Sequence, residues 1–176
     1  NCPPIVHGDR LFVAPIDSNR FYCLSRRTGQ VLWTQFRGGN KYLVWVGEGL
    51  VVLAGRTVRA VALDGGASVW KHEFNGTEQV YGQGVGAGKS LYISTNLALY
   101  TLDLGSGKLR ARAALRFGSG FDERPGGNLM VVDGAIVQAS RRRVTVYFDS
   151  ARTLRHLEEA VLRSPGDPGP HLRLGA

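Results

Sequence analysis

A chain of 176 residues with 22 Lys and Arg against 14 Asp and Glu has the length of one domain and a net charge of +8. Its 43% hydrophobic and 20% charged residues are those of an ordinary folded domain, and no run of 18 apolar residues offers a membrane-spanning helix. Two cysteines without a CxxC pair exclude a disulfide framework, and 24 scattered glycines favour short elements joined by tight turns over long helices.

In chain order, the opening NCPPIVHGD shows no basic and apolar zones of a secretory signal. Residues 7–33, HGDRLFVAPIDSNRFYCLSRRTGQVLW, then read as a unit. A Gly/Asp turn leads into the apolar run Leu11-Phe12-Val13. A polar hairpin leads to a second strand over Phe21–Leu24, and a turn glycine, Gly29, precedes Trp33 by four residues. Cys23 sits in the strand-like FYCLS, where a small buried hydrophobe is the favoured reading and a bridge to Cys2 the alternative. Residues 46–70 repeat the plan with Leu50-Val51-Val52, Val58–Leu63, Gly66 and Trp70, again four residues after the glycine. Trp45, in YLVWVGE, falls outside this pattern, on an expected inner or second strand.

The stretch GQGVGAGKS, residues 82–90, invites a phosphate-loop reading. With Gly88-Lys89-Ser90 in place, however, the required first glycine is Gln83, and a strand follows where a helix is needed. It is read as a flexible crossing. Residues 87–111 then give a third copy, with Leu91-Tyr92-Ile93, Leu99–Leu104 and Gly107, but Ala111 in place of a tryptophan. Asp122-Glu123, in a Gly-rich loop, are adjacent carboxylates for which solvation is the favoured reading over a place on a channel rim. A fourth, weaker copy covers 131–149 and lacks the terminal glycine. Its Arg141-Arg142-Arg143 run reads as a hairpin turn. Without interleaved aromatic residues it makes a poor nucleic-acid platform. The four histidines are far apart and form no metal spacing, and there is no nucleophile elbow.

Residues 149–164 change period: Leu154, Leu157, Val161 and Leu162 fall on one helical face, with Pro165-Gly166 as the stop. The tail, 165–176, resembles the start of a tetratricopeptide-type helical repeat, with a lone helix packed on the last blade as the alternative.

Units of about 40 residues built from four short strands are the mark of propeller blades. A tryptophan at the start of each outer strand suits a wedge between blades, with its indole N–H on a neighbour's backbone. Thr28-Gly29-Gln30-Val31-Leu32-Trp33, Leu63-Asp64 with Gly66 and Trp70, and Leu102-Asp103 with Ser106-Gly107-Lys108 together resemble the tryptophan-docking repeat of the pyrroloquinoline-quinone (PQQ)-like β-propeller family. The resemblance runs over residues 4–148. It departs from the family pattern at Ser25, where an Asp is expected, and at Ala111, which should make the contact between blades 3 and 4 the weakest. The expected fold is all-β: a partial propeller of about four four-stranded antiparallel blades within residues 1–148 (blades at 4–37, 41–74, 80–115 and 127–148), followed by the helix. The fourth blade should show an unpaired outer edge.

The resemblance implies two kinds of function. Quinoprotein dehydrogenases of the family hold PQQ at the axis with a stacking Trp, Ca²⁺-ligating acidic and Asn side chains, a catalytic Asp and often a vicinal Cys pair. Here Trp33 and Trp70 serve docking with Gly29, Gly66, Gly107, Asp64 and Asp103. Trp45 alone is spare, no Cys-Cys pair exists, and no acidic group matches by motif. Other members are scaffolds. The expectation is therefore a non-catalytic interaction scaffold without cofactor or metal, periplasmic or otherwise extracytoplasmic, with a protein partner and further blades completing the ring. Part of a PQQ- and Ca²⁺-dependent dehydrogenase is the alternative, and an outer-membrane-assembly-type propeller the second.

Overall fold

The computed structural model describes residues 3–115, 126–148 and 158–169. Fifteen strands form four antiparallel sheets. The first sheet is β1 (Ile5–His7), β2 (Arg10–Val13), β3 (Arg20–Ser25) and β4 (Val31–Phe36), in that spatial order. The second is β5 (Asn40–Gly47), β6 (Leu50–Gly55), β7 (Thr57–Ala62) and β8 (Ser68–Glu73). The third is β9 (Val85–Ala87), β10 (Ser90–Ser94), β11 (Ala98–Asp103) and β12 (Leu109–Ala114). The fourth has three strands among the described residues: β13 (Asn128–Val132), β14 (Ala135–Ala139) and β15 (Val144–Tyr147). Each sheet is a meander, and β1, β5, β9 and β13 approach one another in succession. The sheets therefore radiate from an inner row of first strands, with β4, β8 and β12 outermost. This is an arc of a β-propeller.

Local sequence sets the hairpins. Every first-to-second strand connection is a two-residue turn: Gly8-Asp9, Glu48-Gly49, Gly88-Lys89 and Asp133-Gly134. Glu48 and Asp133 adopt positive φ (44° and 49°), as the mirror-image turns that match strand twist require. Part of the stretch 82–90 is thus not a crossing: Val85–Ala87 is the innermost strand of blade 3, and Gly88-Lys89 is its hairpin turn. The apolar content of VGA and its pairing with Tyr92, Leu91 and Ser90 outweigh its one glycine. Arg141 and Arg142 lie in the turn between β14 and β15.

Strand alternation divides the core into two layers. Leu43, Val51, Leu53 and Val61 of blade 2 pack against Phe12, Ala14, Phe21 and Cys23 of blade 1. On the opposite face, Val52, Ala54, Val58, Ala60 and Trp70 pack against Leu91, Ile93, Leu102 and Leu104 of blade 3. This explains why β6 reads LVVLAG without polar alternation: both of its faces are covered. Between blades 3 and 4 hydrogen bonds cross beside Leu129, which is buried and lies on the same face as Gln138. Gln138 donates to Ser94 Oγ (2.8 Å), the Gln83 N–H to Asn128 Oδ1 (2.9 Å) and the Leu129 N–H to the Gln83 carbonyl (2.8 Å).

Residues 158–163 are helical, and Leu162, expected on the apolar face, is 80% exposed. Leu154 and Leu157, and most of the proposed helical-repeat tail, lie outside the described residues, as do Cys2, Asp122 and Glu123.

Because Leu53 is fully buried in the layer between blades 1 and 2, Leu53→Ala should lower the unfolding free energy by about 2–5 kcal/mol in urea titration. Val6→Ala, on the uncovered face of blade 1, should stay within about 0.5 kcal/mol.

Candidate functional site

Three five-residue turns carry the sequence motif, and backbone hydrogen bonds fix their register. The N–H groups of Gly29, Gly66 and Gly107 donate to the carbonyls of Ser25, Ala62 and Asp103. Those three residues in turn donate to the carbonyls of Gln30, Ala67 and Lys108. Ser25, Ala62 and Asp103 are therefore structurally equivalent, and Asp64 is not the counterpart of Asp103. The motif's apparent Leu-Asp match at 63–64 slips by two residues because the backbone ladder, not the carboxylate, sets the turn. Asp64 instead forms an ion pair with Arg10 of blade 1. Asp103 accepts from the Ser106 N–H and hydroxyl (both 2.8 Å) and pairs with Arg110. The Ser106 hydroxyl, then Arg110, hold its carboxyl down at about 2. Ser25, in place of the expected Asp, caps its own turn by accepting from the Thr28 N–H (3.2 Å).

The indoles cross the seams. Trp33 Nε1 donates to the Leu63 carbonyl at 3.1 Å, and Trp70 Nε1 donates to the Leu104 carbonyl at 3.1 Å. Each ring lies over the turn glycine of the following blade. A Cβ on Gly66 would fall 2.7 Å from Trp33 Cε3, and one on Gly107 would fall 2.3 Å from Trp70 Cε3. Both glycines are buried, with φ of 72° and 68°. Trp33 also meets Phe12 (centroids 6.0 Å apart) and Phe21 edge-on (5.5 Å). Gly29, with the same φ of 72°, is exposed, and a Cβ there would meet nothing within 4 Å.

Trp45 is on the innermost strand of blade 2. A pairing irregularity between Leu43 and Trp45 turns both Val44 and Trp45 toward blade 3. There the indole lies so close to β9 that a Cβ on Gly86 would sit 2.4 Å from its Cδ1. The one tryptophan left over by the repeat is thus engaged in packing between inner strands.

The described structure adds a cluster that the motif search missed. A cleft of about 340 Å³ opens between the outer strands of blades 2 and 3, among His72, Phe74, Glu78, Tyr100 and Arg112. Glu78 is buried in the connection between β8 and β9. It accepts from the Thr95 hydroxyl (2.5 Å) and from the Tyr100 hydroxyl (2.8 Å), with Arg112 at 3.8 Å. Arg112 Nε donates to the Tyr100 oxygen (3.0 Å), which raises the Arg112 pKa, while burial raises that of Tyr100. His72 packs edge-on to Phe74 and Tyr100, and burial lowers its pKa below 6.5 despite a hydrogen bond to the Gly107 backbone. No sequence pattern marks this cluster, because its members come from three separate segments. At the equivalent place between blades 1 and 2, Arg59 bonds to the Phe36 carbonyl and lies over the Phe21 ring. Among the described residues no group of three or more His, Cys, Asp or Glu is placed to hold a metal ion, and no helix is long and apolar enough to cross a membrane. Cys23 is a buried free thiol whose pKa burial raises.

The family model described as outer membrane protein assembly factor BamB matches residues 2–170. No curated protein matches the chain. Among solved structures, BamB from Moraxella catarrhalis is 18% identical with a TM-score of 0.60, over 78% of this chain and 45% of that one. The quinohemoprotein alcohol dehydrogenase ADHIIG from Pseudomonas putida HK5 is 16% identical with a TM-score of 0.62, over 78% and 28%. The computationally designed Ika8 protein is 14% identical with a TM-score of 0.60, over 82% and 44%. These likenesses concern the fold, and the chain spans less than half the length of each.

Two measurements probe the seams. Gly107→Ala should cost roughly 3 kcal/mol or more in urea titration, since it displaces the Trp70 ring as well as straining φ. Gly88→Ala, with positive φ but nothing within 4 Å of a Cβ, should cost only about 1 kcal/mol. The His72 effect is one of pH. The imidazole faces Glu78, Tyr100 and Arg112 across the seam and has Lys71 and Glu73 beside it in β8. Its pKa is lower folded than unfolded, so the unfolded chain binds the proton first. The stability it contributes is complete above about pH 6.5 and declines as pH falls below that value. The urea midpoint of the wild type should therefore fall between pH 7.5 and 5.5 by more than that of His72→Phe.

Proposed function

Because the chain belongs to the PQQ-like repeat family whose model is described as outer membrane protein assembly factor BamB, we propose that it is a non-catalytic propeller arc that serves as a protein-interaction scaffold outside the cytoplasm. The observation that carries this reading is a pair of sheet faces that expose apolar side chains among the described residues. Blade 1 turns Val6 and Val31, 54% and 56% exposed, away from blade 2. Blade 4 turns Met130, Val132, Val144 and Val146 away from blade 3. Rows of exposed apolar side chains on a sheet face mark surfaces that other proteins or domains cover.

In this reading residues 1–148 form the arc, 149–164 a helix, and the tail leads toward a helical repeat. Trp33 and Trp70, with Gly29, Gly66 and Gly107, are docking residues. Asp103 stiffens a docking turn, and Asp64 ties blade 2 to blade 1 through Arg10. Further blades of the ring and a protein partner cover the two end faces.

The second reading, part of a PQQ-dependent dehydrogenase, draws on the fold likeness to quinohemoprotein alcohol dehydrogenase. It has Trp45 as its one tryptophan outside the repeat, and that ring is packed against Gly86.

The two readings separate experimentally. With the protein incubated with PQQ and Ca²⁺, dye-linked ethanol oxidation should stay at background. A photo-crosslinking side chain at Val146, but not at exposed Asp17, should join the chain to a protein in the extracytoplasmic fraction of the source cell. PQQ-dependent dye reduction would reverse the assignment.

A further inference from the structure

The cleft between the outer strands of blades 2 and 3 is built differently from the seam before it. Strand pairing makes Tyr100 equivalent to Arg59, and Arg112 equivalent to Lys71. At the earlier seam the Arg59 guanidinium bonds to the Phe36 carbonyl and lies over the Phe21 ring. At the later seam a tyrosine takes the place of that arginine, and the guanidinium comes instead from the outer strand. There the cleft of about 340 Å³ stays open.

Hydrogen-bonding capacity decides what such a cleft can take. Its acceptors are already matched. Buried Glu78 accepts from the Thr95 and Tyr100 hydroxyls and faces Arg112. Glu73 is paired with Lys71. A cation entering the cleft would have to displace one of these partners. The donors are not matched. Arg112 gives its Nε–H to the Tyr100 oxygen, while its terminal nitrogens make no hydrogen bond among the described residues and come no nearer than 3.8 Å to Glu78. His72 Nε2 is closed off from water and also lacks a partner. An unmatched buried polar atom is costly and calls for an explanation.

Around these donors the walls are apolar. The His72, Phe74 and Tyr100 rings meet edge-on, with centroids 5.4, 5.8 and 5.1 Å apart. Leu97 and Leu109 line the blade 3 side and are half-exposed. A guanidinium with free terminal N–H groups, set between aromatic and aliphatic walls, is the complement of a carboxylate on a flat apolar body.

We propose that this cleft binds a small monocarboxylate with a flat apolar body. Its carboxylate accepts from the terminal nitrogens of Arg112, and its body lies against Phe74, Leu97 and Leu109. The site sits between outer strands, away from the inner row of first strands, and blades 2 and 3 of this chain supply all of its walls. It does not depend on the scaffold reading, which stands whether or not the cleft binds.

The test titrates the full chain with 3-phenylpropionate, and with 3-phenylpropionamide and 3-phenylpropylamine as its neutral and cationic counterparts. Binding is followed by the NMR signals of the His72 ring and the Arg112 Nε–H. The carboxylate should bind with a Kd of about 1 mM, and the amide and amine about tenfold more weakly. A carboxylate held beside the imidazole favours its charged form, so the His72 titration midpoint should rise on binding. Arg112→Gln should weaken carboxylate binding about tenfold. Because Arg112 also supports Tyr100 and Glu78, a second variant leaves all three in place. Leu109→Asp, at a half-exposed position, brings a like charge to the cleft and should weaken carboxylate binding about threefold or more without lowering the melting temperature. The site is wrong if the amide binds as tightly as the carboxylate. It is equally wrong if either folded variant binds like the wild type, or if the carboxylate leaves the His72 signals unmoved at about 20 mM, well above the expected Kd.

Discussion

The fold depends on an indole laid across a boundary between sheets. A blade cannot bury both of its faces, so a propeller is only as stable as its seams. At each of the first two seams one side chain joins two effects. The ring covers apolar surface over a glycine that has no Cβ to hold it off, and the N–H satisfies a carbonyl at a turn that the ring would otherwise seal from water. The surrounding Leu, Val and Phe side chains supply most of the area, at about 1.5–3 kcal/mol for each one fully buried. The indole supplies register, because only one relative position of the two blades places ring over glycine and N–H on carbonyl.

Much of this was legible in the sequence because it is periodic. The Gly-to-Trp spacing of four residues, seen at 29/33 and again at 66/70, records a turn and the first residues of an outer strand. Chain periodicity of that kind survives without side-chain detail. The hairpins were legible for the same reason, since Glu48-Gly49 and Asp133-Gly134 state their turn type in the residues themselves. At the seam after Ala111 no buried apolar cluster spans blades 3 and 4 among the described residues, and Gln138, Gln83 and Asn128 bond there beside the buried Leu129.

What was not legible has a physical reason in each case. Asp64 looked like the partner of Asp103 because both follow a leucine, but the five-residue turn is defined by backbone hydrogen bonds that any residue can make. Glu78 lies in a linker, and its hydroxyl partners stand 17 and 22 residues further on, at Thr95 and Tyr100. Such a cluster exists only after the blades have stacked, so no local pattern announces it. Residues 85–87, read as part of a glycine-rich crossing over 82–90, become a strand because β10 offers them an edge and Trp45 needs Gly86 small. Tertiary packing there overrides local propensity.

The absence of a tryptophan at Ala111 has a consequence for how the molecule comes apart. In a nearest-neighbour description the arc is a row of units coupled through their seams, and an indole crosses the first two seams but not the third. The first three blades share the buried layers around β6, while among the described residues blade 4 meets blade 3 through Leu129 and through hydrogen bonds at Ser94, Gln83 and Asn128. Opening is therefore asymmetric. Amide protection fades first over β13–β15, and the end that carries the exposed Met130 and Val146 face detaches as a unit while the indole-locked seams remain shut.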